Sequence, residues 1–129
     1  MIAFDTNLLV RLAVNDDLEQ AQIAEDLLNN NEVFISRTVL LETEWILRSV
    51  YKNARDNITL FFDSVLSTKN LNIENSYEVS QAIKWYKLGA DFADALHLCI
   101  SRDYLFHTFD KKFCKSARDT DITPKFKVL

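Results

Sequence analysis

A single glycine and a single proline punctuate the 129 residues of this chain. That scarcity constrains the fold more than any other feature. An all-β sandwich needs a turn about every 8–12 residues, so this chain must be built mostly of helices with a few strands. A phosphate-cradling loop needs several glycines, which excludes P-loop nucleotide hydrolases and dinucleotide-binding Rossmann proteins. Core material is plentiful: 48% of residues are hydrophobic, with nine Phe, four Tyr and two Trp. Intrinsic disorder is thereby excluded, and the length suits one domain over residues 1–129.

The two cysteines, Cys99 and Cys114, each lie in an apolar stretch. They are too few for a disulfide framework and read as reduced core thiols of a cytoplasmic protein. No zinc-like Cys/His spacing exists. The start, Met1-Ile2-Ala3-Phe4-Asp5, lacks the basic and apolar regions of a signal peptide. No apolar run approaches the ~18 residues that a membrane span requires.

Strand-like and helix-like segments alternate. Residues 1–5 read as a short buried strand ending in an acid. Helical spacing follows over Asn7 to Val14 and again over Leu18 to Asn29. Glu32 to Ile35 is a second strand, and Ser36 caps a helix from about Thr38 to Tyr51. Lys52 to Asn57 reads as a polar connection and Ile58 to Leu66 as a helix. Leu71-Asn72-Ile73 is a weak third strand. Ser76 caps a helix through Leu88, stopped by Gly89, and Asp91 caps the next, Phe92 to Arg102. Tyr104 to Phe109 is a strand, again ending in an acid, Asp110. A short helix over Lys111 to Arg118 and a last strand over Phe126 to Leu129 complete the chain. This alternation is the mark of an α/β domain with a mostly parallel sheet. Ligands in such sheets bind at the carboxyl ends of the strands, where Asp5 and Asp110 stand.

Most of the 19 acidic residues need no explanation. Glu44, for example, can pair with Arg48 one helical turn on, on a solvent face. Four acids differ. Asp5, Glu42, Asp94 and Asp110 each lie among apolar neighbours: Ile2-Ala3-Phe4, Val39-Leu40-Leu41, Phe92-Ala93 and Phe106-His107-Thr108-Phe109 respectively. Isolated buried carboxylates are costly and tend to neutralise. A divalent cation among them makes the arrangement reasonable, because hard cations such as Mg²⁺ take oxygen ligands. A metal held that way suits phosphodiester chemistry, activating water and stabilising the departing oxygen. The plainer reading makes Asp5 and Asp110 helix caps and Asp94 a first-turn acid.

The ordered segments Phe4-Asp5-Thr6-Asn7, Thr38-Val39-Leu40-Leu41-Glu42, Asp91-Phe92-Ala93-Asp94-Ala95-Leu96-His97 and Thr108-Phe109-Asp110-Lys111-Lys112-Phe113 carry a resemblance. Together they resemble the PIN domain, and more narrowly the VapC-type toxins of bacterial toxin–antitoxin pairs. The resemblance implies a three-layer α/β/α sandwich around a mostly parallel sheet of about five strands. It also implies an acidic pocket at the sheet's carboxyl edge. Its implied activity is Mg²⁺- or Mn²⁺-dependent endoribonuclease action on structured RNA such as tRNA or rRNA. Its implied partners are a second copy in a homodimer and a small VapB-like antitoxin that blocks the pocket. The family's four acids fall on Asp5, Glu42, Asp94 and Asp110. Thr6, Asn7 and Thr108 match positions that help hold the pocket. We expect Asp5 and Asp94 to bind metal directly, with Glu42 and Asp110 acting through waters or on a second ion. Asp91, one helical turn before Asp94, is either a fifth pocket acid or the helix N-cap.

The net charge of -4 looks wrong for an RNA-binding protein. Setting aside the four proposed metal-site acids leaves 15 acids against 15 Lys and Arg, so the remaining surface is balanced. Lys111, Lys115 and Arg118 share one helix side with Lys112 beside them, and can contact phosphates; a solvated face is the alternative. Arg11 and Arg37 are further candidates. His97 and His107 read as core or supporting residues, and Trp45 and Trp85 as core or dimer contacts. Two other functions compete. An aspartyl-phosphate phosphatase needs an acid two residues after Asp5, where Asn7 stands. A non-catalytic PIN-like interaction module would have no need of the four acids.

Overall fold

The computed structural model describes residues 1–112 and 124–129. These fall into two compact units, Met1–Glu74 and Asn75–Leu129.

In the first unit, strand β1 (Ile2–Ala3) leads into helix α1 (Thr6–Ala13), and helix α2 (Leu18–Asn30) follows. Strand β2 (Val33–Ile35) then feeds helix α3 (Arg37–Ser49), helix α4 (Arg55–Ser67) and strand β3 (Leu71–Ile73). The three strands form one parallel sheet in the order β1-β2-β3. Caps set the helix starts: the Asp5 and Asp17 side chains accept from Thr6 N and Gln20 N, and the Ser36 side chain from Val39 N. Each such cap contributes ~1 kcal/mol. Helix α1 packs against α2 and α3, and α4 packs against α3 and β3. The core here is Phe4, Leu9, Val33, Ile35, Leu40, Leu47, Ile58 and Phe62, all fully or nearly fully buried. Each contributes roughly 1.5–3 kcal/mol of apolar burial.

In the second unit, helix α5 (Ser76–Lys87) packs against helix α6 (Phe92–Ile100). Strands β4 (Phe106–Thr108) and β5 (Phe126–Val128) form a separate two-stranded parallel sheet. Trp85, Tyr86 and Phe92 are buried, and the Tyr86 and Phe92 rings meet edge to face at 5.4 Å. The only glycine ends α5: Gly89 has φ +109°, a conformation costly for residues with a Cβ.

The mixed α/β class and the parallel pairing agree with the sequence reading. The expected single sheet of about five strands differs in its pairing: among the described residues five strands form, as three plus two. Two boundaries also move. Helix α4 begins at Arg55, inside the stretch read as a polar connection, because its first turn is polar and Ala54 gives no side-chain cap. At α5 the cap position is Asn75, in the left-handed region at φ 50°, and Ser76 is the first helical residue. Beyond Lys112, the expected helix to Arg118 lies outside the described residues. Among the described residues, no helix is long and apolar enough to cross a membrane.

Candidate active site

The three parallel strands of the first unit end at one edge, and each hands over to a polar residue there. Asp5 follows β1, caps α1 and is exposed, with Oδ1 accepting from Thr6 N at 2.7 Å. Its Oδ2 makes no hydrogen bond among the described residues. Thr6 behind it is buried and Asn7 is exposed. Ser36 follows β2 and caps α3, whose second turn carries Glu42 on its exposed side. Glu74 follows β3 and accepts from the backbone N–H of Arg37 at 2.9 Å.

Helix α3 corrects two readings. Glu44 does pair with Arg48, at 2.8 Å, but it is 3% exposed and not on a solvent face. Glu42, two positions earlier, falls on the opposite side of the helix and points outward, which is where a ligand can reach it. Of the two tryptophans read as core or dimer contacts, Trp85 is a core residue, and Trp45, 54% exposed, keeps only the dimer alternative.

In the second unit, Asp91 is the N-cap of α6, with Oδ2 accepting from Asp94 N at 3.1 Å. Asp94 is half-buried in the first turn. Its carboxyl is pushed above the usual range chiefly by burial, then by the negative charges of Asp91 and Asp110. His97, one turn on, opposes that shift weakly. The Asp94 carboxylate makes no hydrogen bond among the described residues. Asp110 lies after β4: its N–H donates to Thr108 Oγ1 at 3.0 Å, and its Oδ1 accepts from Lys112 N at 3.0 Å. Thr108 therefore holds the backbone that presents Asp110. Asp94 thus senses the charges of Asp91 and Asp110. Among the described residues, however, no three His, Cys, Asp or Glu side chains stand close enough to hold a metal ion.

Of the proposed phosphate contacts, Lys111 and Lys112 are exposed, while Lys115 and Arg118 lie outside the described residues. Arg11 is committed elsewhere. Its Nε donates to Gln20 at 2.8 Å, and its Nη1 meets Asp16 at 2.5 Å and the Tyr51 hydroxyl at 3.2 Å. The Tyr51 hydroxyl also donates to Asp16 and is the main reason that the Asp16 carboxyl sits below its usual range. This cluster ties α1, the following turn and the end of α3 together. Both histidines are exposed, so neither is a core residue. Cys99 is buried, as expected, and Cys114 lies outside the described residues.

The donor set fits a hard divalent cation: every candidate is a carboxylate, and Asp94 carries a charge that its surroundings disfavour. The family model of the PIN domain matches residues 2–119. The chain belongs to the PIN-domain family. That family generally comprises nucleases, typically dependent on divalent metal ions, and the match runs through all four acidic segments. No curated protein matches the chain.

Sequence reasoning passed over Glu74. Its signal was present, since Leu71-Asn72-Ile73-Glu74 repeats the pattern of a strand ending in an acid.

Proposed function

We propose that this PIN-domain chain is a Mg²⁺- or Mn²⁺-dependent endoribonuclease that acts as the toxin of a toxin–antitoxin pair. The observation that carries the reading is Asp94. It is a half-buried carboxylate with two further acids pressing on it and no hydrogen-bond partner among the described residues, inside a nuclease-family match. Such a group is well placed to receive a cation.

In this reading Asp5 and Asp94 are the direct metal ligands. A cation held there would supply Lewis acidity and a more acidic water. The chain's own residues do the rest. Thr6 N–H fixes the Asp5 carboxylate through Oδ1, leaving Oδ2 to bind. The Asp91 cap anchors the first turn of α6 and so sets the position of Asp94. Glu42 and Asp110 orient water and accept the proton it loses, and Thr108 aims Asp110. Lys111 and Lys112 attract the RNA backbone. The protein works as a homodimer, and a VapB-like antitoxin silences it by placing a basic side chain among the acids.

The deciding experiment is cleavage of a total RNA pool with Mg²⁺, with Mn²⁺ and with EDTA, followed by mapping of the cut ends. We expect discrete cuts that need metal. Absence of cutting under all three conditions refutes the catalytic reading and favours a non-catalytic module. Expression of the chain alone is expected to stop growth, with relief by a small neighbouring gene. Harmless expression of metal-active protein would refute the toxin role and leave the nuclease standing.

A further inference from the structure

The first-unit sheet sets Ser36, the residue before Arg37, in register with Asp5, and draws the Arg37 side chain the other way, toward Glu74 after β3. Its register sets Ala3 opposite Phe34 and Ile35 opposite Ile73. Continued beyond the strands, it brings Asp5, the Ser36-Arg37 corner and Glu74 out side by side at one edge, on strands ~4.8 Å apart. One carboxylate oxygen of Glu74 grips Arg37 twice, accepting from its backbone N–H at 2.9 Å and lying 3.1 Å from Nε. A guanidinium carries five N–H donors, and Glu74 meets this one as an ion pair at Nε. The four on Nη1 and Nη2 make no hydrogen bond among the described residues, and the side chain is 36% exposed. Arg11 is the contrast, because its Nε and Nη1 are both engaged.

We infer that Arg37 binds a backbone phosphate of the RNA next to the one that is cut, and that Glu74 is its positioning residue. The inference rests on the ribonuclease reading. A guanidinium held at Nε presents its remaining edge as a fork, the geometry that suits two oxygens of one phosphate. Holding it in advance spares the rotamer freedom that a loose arginine would lose on binding. The position also fits. Asp5, on the adjacent strand end, is assigned to the scissile phosphate, and the guanidinium is displaced from it toward β3 by its contact with Glu74, the side on which a neighbouring phosphate would lie. Glu74 meets Arg37 at its backbone N–H and at Nε, so the proposed phosphate takes Nη1 and Nη2. The competing possibility is that the pair only staples the end of β3 to the start of α3.

The test measures binding of end-labelled total tRNA in EDTA, where no turnover occurs, between 50 and 200 mM KCl. Affinity of the unmodified chain should fall linearly on a log–log plot against salt. Arg37→Gln should weaken binding about tenfold and reduce the slope by roughly 0.7–0.9, the share of one lost phosphate contact. Arg37→Lys should keep the slope while losing affinity, because it keeps the charge without the fork. Glu74→Gln should keep the slope, and in Mg²⁺ it should raise KM more than it lowers kcat. Unchanged slope and affinity in Arg37→Gln, with melting losses equal to those of Glu74→Gln, would overturn the inference in favour of the staple. If Arg37→Gln does not fold, wild-type affinity in Arg37→Lys overturns it equally. Failure of the unmodified chain to bind tRNA at any salt would remove the ribonuclease reading and this inference together.

Discussion

Asp91 is the residue at which structure and charge pull in opposite directions, and substitution can separate them. Its Oδ2 accepts the Asp94 N–H at 3.1 Å, so it satisfies one orphan donor of α6. The same carboxylate places a negative charge beside Asp94 and disfavours its ionisation. Asp91→Ala removes both effects. Losing the cap costs about 1 kcal/mol, or roughly 3–5 °C in melting temperature for a chain of this size. Asp91→Asn keeps the cap, since Asn and Asp cap about equally well, and removes only the charge.

Asp94 decides the sign of the charge effect. Its folded-state pKa is raised, so its ionised form costs stability at neutral pH. That cost disappears as pH falls through the raised value and the group takes up its proton. Asp91→Asn therefore should melt at or above the parent temperature near pH 7, with the gain fading in mild acid. Asp91→Ala should melt below the parent at both pH values. Carboxyl ¹³C titration should find Asp94 shifted back toward the usual range in Asp91→Asn, though not fully, because burial is the larger cause. RNA cleavage should survive in Asp91→Asn if the residue is a cap and not a ligand. Equal destabilisation of the two variants refutes the cap, and loss of cleavage in a well-folded Asp91→Asn makes Asp91 a pocket acid.

Asp5→Asn and Asp94→Asn should each abolish metal-dependent RNA cleavage with an unchanged circular dichroism spectrum. Near-parental cutting by either variant removes that residue from the ligand set. Phe62→Ala, in the first-unit core at 0% exposure, should lose about 3–5 kcal/mol in urea unfolding, and a loss under 1 would contradict the packing. Burial pushes the Cys99 thiol up to about 12, so it should resist alkylation at pH 8 in the native protein and react quickly in urea. Mg²⁺ or Mn²⁺ should raise the melting temperature at neutral pH by mass action, and less in mild acid, where protons compete for the carboxylates. A saturating titration that leaves the melt unmoved refutes the site.

Local chemistry was legible in the sequence at most helix ends, though not at the starts of α4 or α5. Asp5, Asp17, Ser36 and Asp91 cap the helices that follow them, because a short polar side chain before an apolar repeat has few other uses. Gly89 stops α5, because little else tolerates φ +109°. Strand partners were less legible. Five strands of two or three residues carry no alternation long enough to fix which pairs with which, and the pairing divides three and two. The exposures of Glu42 and Glu44 were illegible for a related reason. Apolar residues lie on both sides of α3, so spacing alone cannot say which of two acids, two positions apart, turns inward. Arg37 and Glu74 are 37 residues apart, and only the parallel register of β2 and β3 makes them neighbours.

The choice between helix cap and metal ligand dissolves once the oxygens are followed separately. An ionised carboxylate offers two oxygens and about four lone-pair sites. Asp5 commits Oδ1 to Thr6 N and keeps Oδ2, so capping fixes the side chain without exhausting it. The cap in fact prepares the ligand, because a carboxylate already held by one oxygen loses less freedom on binding a cation with the other. Asp110 likewise gives Oδ1 to a backbone donor, Lys112 N. Asp94 does not. It caps nothing and gains nothing from the backbone, yet burial and two neighbouring acids act against its charge. The helix dipole favours an acid in the first turn of α6, yet the net shift still runs against the Asp94 charge. Its cost is therefore the strongest physical argument that the acids of this PIN domain serve a cation.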